Sequence, residues 1–437
     1  MKKIVGIIAA LALAGSVFAG EPSVSPVIAE FKGDASLEWI ANLDNETIGM
    51  KNSQSANFKV TFISEGTKAT TGDGLWGELE IKEGKTEVEA KKDAAVTTIN
   101  PFVAAPTVEK AIIHFVDDDF YASMDIKGPD LALGGGKFVL ATHSDQDTPF
   151  YGYPSTSASL TNANGFKINF GMKDLFDANF SFADDGEDVM ERKDFGFKFD
   201  ATLKAVENLE IYGGVAYTSE EEKVAMAAKA SYKLALSDTM YIKPSVGFTL
   251  KDSAKDLAAA LFLGWGGENK EPGFAEFSAA TIKGEKYNIA NKCSNGVSIY
   301  LGTENNIKDF NMIIGAYDDT LLGGIVEGLA WAFEFDIPDL KKVGDGWVMD
   351  AALKYSNTFV DTWTIDANFG LEVVSYKNPI ENKTETKAGF LYGFGISTDN
   401  TFIQNTKLYA KYSGEHAKDI GAADLKGTIT VGTQIHF

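Results

Sequence analysis

The feature that most constrains this chain is a two-residue alternation of apolar and polar side chains, repeated in segment after segment from about residue 166 onward. In one segment Lys198 and Asp200 lie between the apolar residues Phe195, Phe197, Phe199 and Ala201. Successive side chains of a β-strand point to opposite faces, so the pattern predicts strands with one apolar and one polar face. The longest segments run to about 13 residues, more than the five or six usual in soluble sheets and enough to cross a bilayer as tilted strands.

The N-terminal third shows the same alternation, with longer intervening loops. Counting candidates gives about seven strands before Gly165 and about 14 to 16 after it. The sequence therefore predicts an all-β, outer-membrane antiparallel barrel of about 18 to 22 strands if the whole mature chain contributes. The alternative is a narrower C-terminal barrel with a separate N-terminal β-domain in the periplasm.

The chain begins with the pattern of a secretory signal peptide: two lysines, an apolar run from Ile4 to Ala14 and the small-residue motif Val17-Phe18-Ala19. The run is too short to cross a membrane as a helix, which argues against an anchor. We predict cleavage after Ala19. The expected organisation is a signal peptide (1–19), an N-terminal β region (20–165) and a C-terminal barrel region (166–437).

Composition excludes several protein classes. The formal net charge is −22, which argues against nucleic-acid binding because phosphate contacts need clustered Lys and Arg. The same acidity favours a mildly cation-preferring lumen. Cys293 is the sole cysteine, so no internal disulfide framework is expected.

Polar residues that alternate with apolar rows are the candidates for a water-filled lumen. These candidates are Lys198, Asp200, Glu334, Asp336, Asp350 and Asp366. If the apolar rows face lipid, these side chains would filter solutes by size and charge.

No catalytic, cofactor or metal site is expected. The four histidines, His114, His143, His416 and His436, lack ligand spacing. The acidic run 117–119 is interpreted as a turn, not a cation site, and the glycine-rich run 134–137 lacks the spacing of a phosphate loop. No nucleophile elbow occurs, although scattered Ser, His and Asp residues leave an outer-membrane hydrolase as a minor alternative.

Two local features bear on strand ends. Pro244 interrupts an otherwise regular strand, and because proline removes a ladder donor we expect a bulge or a strand end there. The final strand ends in an aromatic carboxylate. Its polar, glycine, apolar and terminal aromatic positions resemble the assembly signal of bacterial outer-membrane barrels and are Thr430, Gly432, Ile435 and Phe437.

Short motifs at both ends resemble the treponemal major outer sheath protein and Tpr family of spirochaetes. They are Gly-Glu-Pro-Ser-Val-Ser at residue 20, Ala-Ser-Leu-Glu-Trp at residue 35, Ile-Gly-Met-Lys-Asn at residue 48 and the tail from Gly432 to Phe437. The resemblance implies N- and C-terminal family domains, surface exposure, pore formation, oligomers that are often trimers, and adhesion to host matrix proteins such as fibronectin and laminin. It supplies no catalytic residue.

The function expected first is a porin for passive diffusion of small hydrophilic solutes, in contact with outer-membrane lipid and inserted by the barrel-assembly machinery. The second is a surface adhesin that uses long polar loops such as 141–165 and 267–296. The third is a soluble periplasmic β-protein, whose apolar rows would not face lipid.

Overall fold

Nearly all regular structure among the described residues is β-strand. The computed structural model describes residues 27–63, 73–91, 107–125, 129–135, 138–141, 155–158, 160, 164–184, 194–252, 254–265, 281–282, 285–286, 294–303, 307–320, 326–359, 362–377, 383–399, 404–417, 419 and 424–436. Residues 1–19, Cys293, His143 and Phe437 lie outside these ranges, so the predicted signal peptide and terminal aromatic are not described. Among the described residues, no helix has the length and apolar character needed to span a membrane.

The strands follow one another with few interruptions. They are β1 Val27–Asn42, β2 Thr47–Ile63, β3 Gly74–Lys91, β4 Thr107–Asp117, β5 Phe120–Asp125, β6 Ala132–Gly134, β7 Ser155–Ser157, β8 Asn164–Met172, β9 Phe176–Asp184, β10 Phe195–Leu203, β11 Leu209–Thr218, β12 Lys223–Tyr232, β13 Leu234–Ala235, β14 Met240–Lys251, β15 Ala254–Trp265, β16 Thr281–Ile282, β17 Glu285–Lys286, β18 Gly296–Thr303, β19 Phe310–Asp318, β20 Leu329–Ile337, β21 Gly346–Phe359, β22 Trp363–Lys377, β23 Thr384–Asp399, β24 Thr406–His416 and β25 Asp424–His436. A 3₁₀ helix, Leu340–Asp345, connects β20 to β21.

The strands form one closed antiparallel barrel. Each wall strand pairs with the next, and β1 pairs with β25 from Asp34 opposite His436 to Asn42 opposite Thr428, which closes the sheet. Since β12 and β13 both pair with β14 as one interrupted strand, the wall has 20 strands. This confirms the predicted fold class and shows that the whole-chain barrel forms instead of a narrower one. Strand β5 pairs directly with β8, so no break in the sheet marks residue 165, and the boundary there stays a prediction.

The alternation in the sequence becomes an alternation of burial. In β10, Phe195 and Phe199 are exposed while Lys198 and Asp200 are buried. The exposed members of other strands are also large and apolar, such as Phe31 in β1 and Leu261 in β15. The apolar rows therefore form the outer wall of the barrel and the polar rows the inner wall, as expected for strands that face lipid on one side.

Short turns join many neighbouring strands, and a residue with positive φ stands just before the next strand. These residues are Glu46, Asp118, Asp174, Asn208, Glu222, Asp252 and Asn405. Asn and Asp tolerate the left-handed conformation better than most residues, which suits them to these turns. The run 117–119 includes one such turn, between β4 and β5, so its interpretation as a turn is confirmed.

Pro244 lies inside β14 and neither ends nor bulges it. It pairs with Leu261 of β15 in unbroken register. On its other side the ladder stops at Ser231 opposite Ser245 and resumes at Leu234 opposite Ile242. Because proline has no N–H to donate, the interruption falls in the neighbouring strand, between β12 and β13, and the sequence expectation was wrong on this detail.

Candidate functional site: a partly filled barrel lumen

A segment between β5 and β8 folds against the inner wall instead of projecting from the barrel. We call residues 129–135, 138–141, 155–158 and 160 the inner segment. Within it, β6 pairs with β7 through Leu133 opposite Thr156 in a small sheet separate from the wall. The described part of 141–165, expected from sequence to be a polar surface loop, therefore lies inside.

The inner segment is held by apolar contacts with small wall residues. Leu131 and Leu133 pack against Tyr212 and against alanines of β11 and β12. Phe138 and Leu140 pack against Tyr300 and against alanines of β15. Farther along, Ala141 packs with Phe262, Tyr317 and alanines of β20 and β21. Phe138, Leu133 and Leu140 are each 1% exposed, so these contacts make the segment a fixed part of the interior.

Polar contacts fix the start of the inner segment. Lys198 Nζ lies 3.0 Å from Asp130 Oδ2 and donates a 3.0 Å hydrogen bond to the Ala132 carbonyl. Lys229 Nζ donates to the Gly135 carbonyl at 2.9 Å, and the Gly134 N–H donates to the Tyr212 hydroxyl at 3.1 Å. Two wall lysines therefore bind backbone carbonyls of the segment.

Asp130 is the acidic partner of Lys198 in this attachment, and its carboxyl group titrates. Partial burial opposes its ionisation, but the hydrogen bond and charge of Lys198 and the backbone N–H of Ala132 outweigh that cost, so the pKa of Asp130 is lowered. The carboxylate is therefore favoured while Lys198 is charged.

The opposite part of the inner wall stays polar. Across β2, β3 and β4, Lys59 binds Glu78 at 2.7 Å and Lys110 binds Glu80 at 3.4 Å. Asn57 Nδ2 donates to Glu80 Oε1 at 2.6 Å. Opposite charges on facing strands are favourable pairs, and together these side chains form a charged surface on the inner wall.

A cavity of about 580 Å³ lies along β1 and β21 to β25, and its charged lining side chains are Glu38, Lys354, Asp366, Lys407 and Lys411. Asn368, Tyr409 and Gln434 add neutral polar groups. Three lysines face two carboxylates here, so the local balance is slightly basic although the whole chain is acidic. The cavity is therefore a polar space along the wall of β21 to β25.

The six predicted lumen residues fall into three groups. Lys198 and Asp200 are buried on the inner wall, with Nζ and Oδ2 3.3 Å apart. Glu334, Asp336 and Asp350 come together in one buried carboxylate cluster. Asp366 stands apart, accepts a 2.6 Å hydrogen bond from Ser356 and lines the cavity.

Of the predicted assembly-signal residues, Thr430, Gly432 and Ile435 lie on the last strand, and Phe437 lies outside the described residues. Thr430 is buried, Ile435 is 43% exposed and Gly432 contacts the β24 tyrosine Tyr409. A side chain at Gly432 would bring its Cβ within 2.7 Å of the Tyr409 ring. This gives a packing reason for the glycine. The role of these residues in assembly stays a prediction.

Sequence reasoning missed Asp130 of the inner segment and the wall residues Tyr212 and Lys229 that bind the segment. One signal was present: inward positions of β11, β12, β15, β20 and β21 are often alanine, where other strands place polar residues. Small inward side chains leave room for another layer, so this run of alanines could have indicated an inserted segment.

A closed antiparallel barrel with an apolar outer face and a polar interior defines an outer-membrane protein of the porin type. No family model matches the sequence. Over 205 residues the chain is 34% identical to the major surface protein MspTL of Treponema lecithinolyticum, covering 46% of this chain and 33% of that protein. Over 188 residues it is 31% identical to the major outer membrane protein MspA of Treponema maltophilum, covering 40% and 32%.

These matches confirm the resemblance to treponemal major outer sheath proteins. The matched regions span about a third of the length of each relative. Among solved structures the chain is similar to Pseudomonas aeruginosa OpdQ, with 9% identity and a TM-score of 0.40 over 95% of this chain and 99% of that chain. A mutant of the Rh. blastica porin gives 10% identity and a TM-score of 0.33 over 94% and 100%.

Proposed function

We propose that the chain forms an outer-membrane pore through which small hydrophilic solutes diffuse. The observation that carries this proposal is the closed barrel whose outer rows are apolar and whose inner wall encloses a polar cavity. Twenty strands give a barrel wide enough for an aqueous lumen, and the inner segment narrows it. Solutes pass along the wall of β21 to β25.

Selectivity follows the charges beside this route. The cation preference expected from the net charge of −22 stays a prediction, and the slightly basic lining of the cavity argues for a weak one. Reversal potentials under a salt gradient distinguish a clear cation preference from a weak one. They do so because permeant ions respond to charges near their path and not to charges a Debye length away.

The test of the proposal is planar-bilayer conductance of the refolded chain. We expect discrete, stable conductance steps. Fragments divided near Gly165 should form no channels, because the pairs β5–β8 and β1–β25 both join strands from opposite sides of the division. Absence of channels from the intact, folded chain would reject the pore.

Surface exposure, adhesion to host matrix proteins, trimer formation and recognition by the assembly machinery are further predictions of the resemblance. One relative is itself named a major surface protein. If loops of this chain bind matrix proteins, the described part of 141–165 is a poor candidate because Ala158 is buried against the wall. Deleting other loops should abolish matrix binding and leave conductance unchanged.

A further inference from the structure

The cavity along β1 and β21 to β25 has a floor without side chains. Gly393 and Gly395 of β23 both line it, and Gly395 pairs with Lys411 of β24. On the other side Gly393 pairs with Asn368 of β22, which pairs with Lys354 of β21. The two lysines therefore stand on opposite sides of a glycine groove. Three strand intervals separate β21 from β24, about 14 Å, which two extended lysine side chains can bridge around a small solute.

Three lysines line the cavity without a protein partner. They are Lys354, Lys407 and Lys411, and none makes an ion pair or a hydrogen bond with a residue that the structure describes. Lysines at two other places on the inner wall are paired, because Lys59 binds Glu78 at 2.7 Å and Lys198 binds Asp200 at 3.3 Å. The ammonium groups of the cavity therefore stay available to a solute.

The two acids of the cavity are bound to neutral hydroxyl groups. Asp366 Oδ1 accepts a 2.6 Å hydrogen bond from Ser356 Oγ, and Glu38 Oε1 accepts one from the Tyr409 hydroxyl. Asp366 attracts Lys354 through space but forms no ion pair with it. Each acid is therefore hydrogen-bonded within the wall, whereas the lysines are not.

Asn368 provides an independent indication of a ligand. Its Oδ1 atom is buried and accepts no hydrogen bond from a described residue. The amide lies over Gly393, where an added Cβ would collide with Oδ1, so the glycine makes room for it. A buried acceptor without a partner is costly, and a hydroxyl group of a bound solute would satisfy it.

We propose that this groove binds a small organic anion that carries a hydroxyl group, with its carboxylate or phosphate between Lys354 and Lys411. The hydroxyl donates to Asn368 Oδ1. Lys407, at the start of β24, extends the positive charge toward one end of the barrel and attracts the anion to the groove. The inference rests on the proposed pore function, because the lumen is the path by which a solute reaches the groove.

The test is block of the channel current by gluconate and by glycerol phosphate, both hydroxylated anions, in planar bilayers that hold the refolded whole chain. We expect the single-channel conductance in KCl to fall with anion concentration and to saturate. Block by one anion alone assigns the site to carboxylates or to phosphates, and block by both shows that it recognises either group. The proposal is overturned if neither anion blocks, or if neutral glycerol blocks equally.

Variants locate the block. Lys354→Gln and Lys411→Gln should each raise the half-blocking concentration about fivefold, the effect of a unit charge about 4 Å away in water. Asn368→Ala should also weaken the block, and Lys354→Arg, which keeps the charge, should retain it. Lys110→Gln, on the inner wall outside the cavity, is the matched control. Wild-type block in both Lys→Gln variants of the groove would overturn the proposal.

Isothermal titration of the detergent-folded chain with the same anions separates this site from the pore. Saturable heat that weakens in Lys354→Gln, in a chain that forms no channels, would reject the pore and support the site. Stable channels with neither heat nor block would reject the site and leave the pore standing. Circular dichroism checks that each variant retains the barrel.

Discussion

Lys198 of the barrel wall and Asp130 of the inner segment form an ion pair across the lumen surface, with Nζ and Oδ2 3.0 Å apart. Lys198 is 3% exposed at its side chain, and Asp200 on the same strand lies 3.3 Å from it. A buried lysine between two carboxylates is held firmly, so it is a fixed anchor for the segment.

The Asp130 anchor should respond to acid. Its pKa is lowered in the folded protein, so its contribution to stability is complete above the ordinary value of 3.8 and is lost as the pH falls through the lowered value. We expect conductance to rise or become noisier only in that acidic window. Asp130→Asn should show the acid behaviour already at neutral pH and lose this part of the pH dependence; an unchanged profile in the variant would contradict the anchor.

Phe138→Ala should release the apolar part of the inner segment. Replacing a fully buried phenylalanine by alanine lowers stability by about 3 to 5 kcal/mol. Because Phe138 is not in a wall strand, this loss weakens the packing of the inner segment and not the pairing of the barrel. We expect a larger single-channel conductance and faster proteolysis between β5 and β8, with the barrel still folded. Ala132→Ser, at an exposed position of β6, is the matched control and should change neither measurement.

Lys411→Glu should shift ion selectivity toward cations. Lys411 lines the cavity, and a unit charge acts on an ion about 4 Å away in water with about 1 kcal/mol. Reversing that charge should raise the cation-to-anion permeability ratio several-fold, as measured by reversal potential. Lys341→Glu, on the exposed 3₁₀ helix, should have little effect; an equal shift in both variants would place selectivity outside the cavity.

Phe199→Arg tests the outer wall. Phe199 is 44% exposed at the centre of β10, and arginine at the bilayer midplane costs about 2 to 4 kcal/mol. We expect a loss of that size in the free energy of unfolding measured in lipid vesicles. Glu207→Arg, in an exposed turn beside the same strand, is the control. A neutral Phe199→Arg variant would show that this row does not face lipid.

Gly427→Ala tests the closure of the barrel. Gly427 has a φ of 116°, and an added Cβ would lie 2.3 Å from the Ser413 carbonyl oxygen. Its N–H also donates to Asp44 of the first turn at 3.3 Å. Strain at such a position costs about 1 to 3 kcal/mol, so unfolding should occur at lower denaturant. Gly213→Ala, where nothing lies within 4 Å, should unfold much as the wild type does.

The sequence was sufficient to predict the strands and the face of each side chain, because alternation is a local property. Register between strands is not local. The sequence shows ordinary polar positions at Glu334, Asp350 and Glu372. Only the pairing of β20, β21 and β22 brings these three side chains together.

The inner segment escaped prediction for a similar reason. Its anchors, Leu133 and Phe138, are few and separated by glycines, so they carry no recognisable periodicity. Their partners are spread over several strands, from β9 to β19. Pro244 illustrates the reverse case, since its effect on the ladder appears in the neighbouring strand and not in its own.

The described residues of the inner segment are attached mainly by side-chain contacts and two lysine anchors, and their strands β6 and β7 form no ladder with the wall. The circumference of the barrel is fixed by strand number, whereas the aperture is fixed by how this segment lies within it. The two dimensions are therefore set by different residues. Substitutions at Leu133 or Phe138 can therefore change the width of the aperture. The circumference of the barrel stays the same, and so does its fit to the bilayer.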